Sequence, residues 1–404
     1  MKYSQHFLFN TETIITYVRE KLNIFKNNSK LQAEEIGDGN INYVFRIRDV
    51  NSNKTIIIKQ ADKLLRSSSR PIESKHNYIE ANVLRFYGEV VKDYVPKIYY
   101  YDPNMLAIIM EDIRDFKNLR LTLLNGKIVS KFADNITSFI VNSTLITTDI
   151  VMDSFVKKDN VSKYVNKEMC KITEDLVFAE PFSNYKNRNI VLKDNLTFIE
   201  KELYKDTNLI YEVAKLKDSF MNNSQALIHG DLHTGSIFVK GDKIKIIDPE
   251  FAFYGPIGYD LGCVVANLFF SLVNAYINNK NVNFINWLER TIAEIIDFFK
   301  IKFLRKYQEN VLDISFKNVK FMNWYYDNIL KDTAGCCGCE LIRRVVGDSK
   351  VIDITNIGDI NKRIIAERIL IKCGKTFILE RNNLKNGSDY VEILSNIKKE
   401  DFSS

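Results

Sequence analysis

The stretch Leu227–Val239, LIHGDLHTGSIFV, sets one aspartate, two glycines and two of the chain's four histidines between apolar runs that read as strands. A polar turn gripped between two buried segments holds its side chains still, so Asp231 is expected to have a fixed direction. Seventeen residues beyond Asp231, a second strand-like run, KIKIIDPEF (Lys243–Phe251), ends in Asp248 and Glu250. Outside these two runs the chain from Arg114 onward reads as helices.

The frame around this stretch is large. A chain of 404 residues with 46% hydrophobic content exceeds what one compact core usually holds and favours two lobes. Lys and Arg total 57 against 51 Asp and Glu, a net charge of +6 without dense basic runs. That balance suits small anionic ligands and gives no dedicated nucleic-acid surface. The N-terminus carries no signal-peptide pattern, which predicts a cytoplasmic protein. The apolar run LGCVVANLFFSLVNAYI from Leu261 is too short for a bilayer span and follows Asp260 directly, so a buried helix is expected and no membrane partner. Cys336, Cys337 and Cys339 crowd in AGCCGC, but no second paired cluster with zinc spacing exists, so packing thiols are the expectation.

The first lobe opens with a helical pattern, Thr11 to Phe25, then turns to strand periodicity in AEEIGDGNINYVFRIRD and TIIIKQA. Gly37 and Gly39 lie in the turn between the first two strands. YIEANVLRFYGEV has amphipathic helical spacing, and KIYYYDP and MLAIIMEDI follow as strands. An α+β architecture results: residues 1–112 form a small lobe with an antiparallel sheet and a helix, and residues 113–404 form a larger, mainly helical lobe.

A glycine turn between strands lets backbone N–H groups approach phosphates, although GDGN is also an ordinary hairpin turn. Lys59, among β-branched neighbours, needs a partner, and Glu80 on the following helix is the candidate. Asp231, Asp248 and Glu250, leaving two adjacent strands, are expected to converge on a small volume. Their repulsion calls for cations, and Mg²⁺ with a nucleotide suits them. A lysine for phosphates, carboxylates for the metal and a carboxylate beside the attacking hydroxyl are the parts that phosphoryl transfer requires. His229 and His233, four apart, invite a zinc reading, but no third ligand accompanies them. Their expected role is structural: an imidazole that hydrogen-bonds the turn and fixes Asp231.

With these residues in place, the chain resembles the protein-kinase-like small-molecule phosphotransferases, which include aminoglycoside phosphotransferases, choline kinases and homoserine kinases. HGDLH is similar to their catalytic-loop pattern. HGDLHTGSI together with DPEFAFYGPIGYDLG, Asp248 to Gly262, is most similar to the 5-methylthioribose kinase family. The resemblance implies a two-lobed protein-kinase-like fold, ATP and Mg²⁺, a small sugar substrate, and a homodimer. It assigns Asp231 to the acceptor hydroxyl, Asp248 and Glu250 to the metal, and Asp248, Pro249 and Glu250 together to ATP. It further assigns Lys59 to the phosphates, Gly37, Gly39 and Asn40 to the glycine turn over the nucleotide, and Glu111, Asp112 and Ile113 to the hinge whose backbone meets adenine. Arg343 and Arg344 match an arginine pair that binds substrate and neutralises the transferred phosphoryl.

Particular positions depart from the wider pattern. Ser236 stands where kinases and aminoglycoside phosphotransferases carry a metal-binding asparagine, as expected within the methylthioribose kinase pattern. Tyr259 replaces an expected phenylalanine and adds a hydroxyl that needs a partner. From periodicity alone, adjacent Arg343 and Arg344 point in different directions and do not face one ligand equally. Trp324 and Tyr325 are candidates to cover the thioether end of the sugar, with core packing as the competing reading. The competing functions are a kinase for choline, an aminoglycoside or homoserine, and a nucleotide-binding pseudokinase.

Overall fold

The computed structural model describes residues 2–37, 42–62 and 73–402, with the side chains of 400–402 left aside. The chain divides into two compact units. One is Met1–Phe116 with Lys245–Phe251, and the other is Lys117–Ile244 with Ala252–Ser404.

The first unit is built on five antiparallel strands: β1 (Leu31–Glu35), β2 (Asn42–Asp49), β3 (Thr55–Ala61), β4 (Ile98–Asp102) and β5 (Ala107–Glu111). They lie in the order β1-β2-β3-β5-β4. The period-2 alternation of β3 sorts its side chains between two apolar clusters. Ile56 and Ile58 pack with Ile14, Tyr17 and Val18 of the helix Thr11–Lys21. Ile57 packs on the other face with Ala81, Tyr101, Ile108 and Met110. Lys59 shares the face of Ile57 and so points toward the helix Lys75–Val90.

The opening helix is shorter than its pattern predicts. Asn10 caps it by accepting from the N–H groups of Glu12 and Thr13 at 3.0 and 2.8 Å, and the helix stops at Lys21 because Leu22 turns extended (φ −119°, ψ 125°). Ile24 and Phe25 are apolar because they fold back onto the same cluster, not because the helix continues.

The second unit is mainly helical, with two small sheets. One has the order β6-β8-β9, from Lys117–Asn118, Ile237–Lys240 and Lys243–Ile246, the last of which runs on into the Lys245–Phe251 segment assigned to the first unit. The other pairs β7 (Ala226–Ile228) with β10 (Phe253–Gly255). The strands that precede Asp231 and Asp248, β7 and β9, are therefore not hydrogen-bonded neighbours, contrary to the adjacency expected from sequence. Three-residue runs such as β10 are too short to show a period.

The helix Ile257–Ile277 is long and apolar enough to cross a membrane, yet 94% of its apolar window is buried inside the protein, which makes it a core helix. It packs against the helix Val319–Val346 at close range. A Cβ on Gly262 would meet the Thr333 carbonyl oxygen at 2.5 Å, and one on Gly338 would meet the carbonyl oxygen of Gly374 in the helix Ile360–Leu379 at 2.3 Å. The AGCCGC run thus belongs to a tight helix crossing, where Cys336, Cys337 and Cys339 are buried free thiols.

Candidate functional site

Two clusters of charge stand out, one in each unit. In the first unit Lys59 donates to Glu80 Oε1 at 2.8 Å and to Asp248 Oδ1 at 2.7 Å, and its Nζ lies 3.9 Å from Glu250. Burial alone would lower the Lys59 ammonium, but Asp248, Glu80 and Glu250 outweigh it and hold the lysine well above its ordinary value. Burial pushes Glu80 up to about 8, against the pull of Lys59. One cation thus sits among three carboxyl groups, and negative charge exceeds positive there even with Glu80 protonated.

Asp248 and Glu250 owe their placement to a distorted turn. Asp248 adopts a left-handed conformation (φ 64°), which a non-glycine residue holds only when its surroundings over-determine it. Pro249, with its fixed φ, opens the short 3-10 turn Pro249–Phe251. Asn42 at the start of β2 donates to Glu250 Oε2 at 2.7 Å. The remaining oxygens Asn42 Oδ1 and Glu80 Oε2 are buried without a hydrogen-bond partner among the described residues. Hard oxygen donors, surplus negative charge and unsatisfied buried oxygens fit Mg²⁺, which keeps several waters and takes one or two carboxylates beside phosphate. Sequence reasoning missed Asn42, although its place just beyond the glycine turn signals it.

The remaining nucleotide candidates of this unit vary in what they do. Gly37 follows β1 and is half-buried; Gly39 and Asn40 lie outside the described residues. Glu111 closes β5 and accepts from the Lys97 N–H at 3.0 Å, and Asp112 accepts from Arg46 Nε at 2.7 Å. Ile113 accepts from the Phe116 N–H at 2.8 Å. The side chains of Glu111 and Asp112 are thus engaged within the unit, and so is part of the backbone here, since the Glu111 N–H donates to the Lys97 carbonyl at 2.8 Å.

In the second unit the polar turn after β7 behaves as its sequence predicts. Gly230 takes φ 82°, a conformation glycine adopts without a Cβ penalty. His229, fully buried, accepts from the Asp231 N–H at 3.3 Å, and His233 Nδ1 accepts from the N–H groups of Gly235 and Ser236 at 2.9 and 3.2 Å. His233 Nε2 lies 3.4 Å from Asp231 Oδ2. Both imidazoles serve the turn. Among the described residues no group of three His, Cys, Asp or Glu side chains is arranged to hold a metal.

A residue that sequence reasoning left unassigned clamps this turn. Asp260, in the first turn of the helix Ile257–Ile277, accepts from the His229 N–H at 2.6 Å and from the Gly230 N–H at 2.9 Å. Burial pushes its carboxyl up to about 7, with the two amides opposing.

Asp231 faces cations. Arg343 and Arg344 bring their Nη2 atoms to 3.7 and 3.9 Å from Asp231 Oδ1. Burial would raise the Asp231 carboxyl, but His233, Arg344 and Arg343 outweigh it and hold the group far below the usual carboxylate range. The two arginines do reach one place, which corrects the periodicity argument. Glu340, three and four residues earlier on the helix Val319–Val346, accepts from Nε of both, at 2.9 Å for Arg344. Positions i+3 and i+4 straddle position i, and guanidinium stems are long enough to converge. Nor are they a solvated pair, since each is about nine-tenths buried.

Behind Glu340 the network continues through Asn267, whose Nδ2 donates to Glu340 at 3.4 Å and whose Oδ1 accepts from Arg120 at 2.9 Å. Arg120 in turn holds the Asp231 turn through Thr234 Oγ1 at 3.1 Å. Neither aromatic candidate joins this cluster's hydrogen bonds. Trp324 is 57% exposed against Phe321, so core packing does not describe it, and Tyr325 stacks on Phe303.

The sequence profile described as the phosphotransferase enzyme family matches residues 199–289. A methylthioribose kinase of Geobacillus sp. (strain WCH70) is 37% identical over 368 residues, covering 91% of this chain and 90% of that one. A methylthioribose kinase of Bacillus pumilus (strain SAFR-032) is 33% identical over 392 residues, covering 96% and 97%. A solved choline kinase from Cryptosporidium parvum Iowa II aligns over 97% of each chain at 15% identity, with a TM-score of 0.49.

Two outcomes follow from the second cluster. Glu340→Gln leaves two buried arginines without their shared countercharge, a loss worth about 3–5 kcal/mol when a buried pair is broken; urea unfolding reads this, and a change below about 1 kcal/mol contradicts the role given to Glu340. For Asp260 the folded pKa lies above the unfolded one, so the stability it contributes is greatest below about pH 4 and declines as pH rises toward about 7. Asp260→Asn removes that decline, visible as a flatter urea midpoint between pH 5 and 7, and an unchanged slope rules the assignment out.

Proposed function

Because the chain belongs to the methylthioribose kinase family, we propose that it transfers the γ-phosphoryl of ATP to the anomeric 1-hydroxyl of 5-methylthioribose, giving 5-methylthioribose 1-phosphate and ADP in methionine salvage. The protein is a small-molecule kinase with an alcohol acceptor. The observation that carries the residue-level reading is the ionised Asp231 beside Arg343 and Arg344, with both arginines tied to Glu340.

In this reading Asp231 accepts a hydrogen bond from the acceptor hydroxyl and aims its oxygen at phosphorus. A carboxylate held so far below its usual range is a weak base, so it orients the hydroxyl and takes the proton only once the new O–P bond is well advanced. Arg343 and Arg344 spend their Nε atoms on Glu340, while their Nη2 atoms stand beyond hydrogen-bond length from Asp231. Those donors serve the substrate and the charge on the transferred phosphoryl, and of the two Arg344 is given the larger share.

Residues 1–112 act as the ATP-binding part and residues 113–404 as the catalytic and sugar-binding part. Lys59 binds the phosphates, and Gly37, Gly39 and Asn40 cover them through the glycine turn. Glu111, Asp112 and Ile113 offer backbone to adenine, and Asp248 and Glu250, fixed by Pro249, hold Mg²⁺. Bound there, the ion would neutralise part of the triphosphate charge. The protein is placed in the cytoplasm as a homodimer, with no nucleic-acid or membrane partner.

The test is to offer ATP and Mg²⁺ with methylthioribose, ribose, choline and kanamycin and to follow phosphorylated product. Methylthioribose 1-phosphate alone is expected; turnover confined to choline or kanamycin discards the sugar assignment. Asp231→Asn keeps nucleotide binding by calorimetry while turnover falls at least about 100-fold. Near-normal turnover in that variant removes Asp231 from the chemistry.

A further inference from the structure

The helix Ile257–Ile277 is apolar enough to pass for a membrane span, yet it carries a stripe of buried polar residues. Asp260, Asn267, Ser271 and Asn274 fall at i, i+7, i+11 and i+14, on one face of the helix. Asparagine is a poor helix former, and a buried amide costs free energy unless its hydrogen bonds are made, so the stripe needs a reason beyond packing. Asp260 holds the amides of His229 and Gly230. Ser271 donates to Asp353 Oδ1 at 3.0 Å and Asn274 Nδ2 to the Asp353 carbonyl at 2.6 Å, and Asp353 Oδ2 lies 3.7 Å from Arg120 Nε.

Asn267, 1% exposed, stands between these two anchorages. Its Oδ1 accepts from Arg120 Nη2 at 2.9 Å and from Thr234 Oγ1 at 3.1 Å. Its Nδ2 donates to the Cys263 carbonyl at 2.9 Å and to Glu340 Oε1 at 3.4 Å. The amide is used on both sides, and a flipped amide would set Nδ2 against the Arg120 guanidinium and Oδ1 against the Glu340 carboxylate. Glu340 Oε1 is also the oxygen that accepts from Arg344 Nε, while Thr234 belongs to the turn that carries Asp231. One buried side chain thus spans from the arginine clamp to the Asp231 turn.

We propose that Asn267 is a positioning residue that sets the distance between Asp231 and the arginine pair. The Nη2 atoms of Arg343 and Arg344 stand 3.7 and 3.9 Å from Asp231 Oδ1. Opposite charges free to move would close that gap to a charge-assisted hydrogen bond of about 2.8 Å. A closed pair would leave neither the carboxylate nor the guanidinium donors to a substrate. Glu340 fixes the arginines, and Asn267 ties Glu340 to the turn, so the gap is held open. The proposal rests on the phosphotransferase reading above, in which Asp231 and the arginines serve one acceptor and one phosphoryl group.

The experiment measures kcat, KM and melting temperature of the full-length enzyme with ATP and 5-methylthioribose, for wild type, Asn267→Leu, Thr234→Val and the double variant. Leucine has the size of asparagine and suits a buried helix, but it breaks both arms of the link; Thr234→Val is isosteric and breaks only the arm to the turn. Asn267→Leu is expected to lower kcat about 10- to 100-fold, the worth of one or two buried hydrogen bonds to charged groups, with the KM for ATP unchanged. Thr234→Val is expected to lower kcat about three- to tenfold, and the double variant to be no slower than Asn267→Leu alone, because both changes cut one link. A kcat for Asn267→Leu within about twofold of wild type overturns the proposal, as do losses that multiply in the double variant or that vanish when rates are expressed per folded molecule. Where Asn267→Leu does not fold, Thr234→Val decides alone, and an unchanged kcat in that folded variant overturns the proposal. A wild-type enzyme that turns over choline or kanamycin in place of methylthioribose removes the sugar assignment, and the same comparison with that acceptor still judges Asn267. An enzyme without kinase turnover removes both readings.

Discussion

A single buried carboxylate, that of Glu340, lets two neighbouring guanidinium groups be buried about nine-tenths of the way in the second unit. Without a countercharge, two cations in that environment would cost far more than any packing around them returns. With Glu340 accepting from both Nε atoms, two arginines balance Glu340 and Asp231, and the cluster is formally neutral. In the proposed transfer the phosphoryl group would meet donors already in place, which is what electrostatic preorganisation requires.

The Asp231 turn depends on the same economy of buried charge. Its backbone amides are taken by Asp260, His229 and His233, and its Thr234 side chain by Arg120. Every one of these partners comes from a helix or from the turn itself. The Asp231 carboxylate, 28% exposed, is the part of the turn that the proposed function gives to the substrate. Helix crossings at Gly262 and Gly338 are so close that the helices bearing Asp260 and Glu340 have little freedom to shift.

In the first unit the opposite imbalance holds. Among the described residues Lys59 is the cation facing Glu80, Asp248 and Glu250, and Glu80 Oε2 and Asn42 Oδ1 are buried without donors. Such a cluster suits a divalent cation with phosphate, because each then supplies what the other lacks. The strained φ of Asp248 is a local cost borne where the carboxylate has to point.

The sequence by itself determined most of the strands and helices and singled out the candidate site residues. Period-2 alternation marked the strands and the face of Lys59, and HGDLH between apolar runs marked a rigid turn. Side-chain types at Lys59, Asp231, Asp248 and Glu250 marked phosphate chemistry. These features are legible because they depend on neighbours a few residues apart. Tertiary structure alone decided the partners: that Glu340 gathers Arg343 and Arg344, that Asp260 seizes the turn, that Asn42 holds Glu250, and that β7 pairs with β10 while β9 pairs with β8. Each joins side chains or strands through burial and long-range pairing. A buried charge looks the same in sequence as a solvated one until the fold removes the water around it.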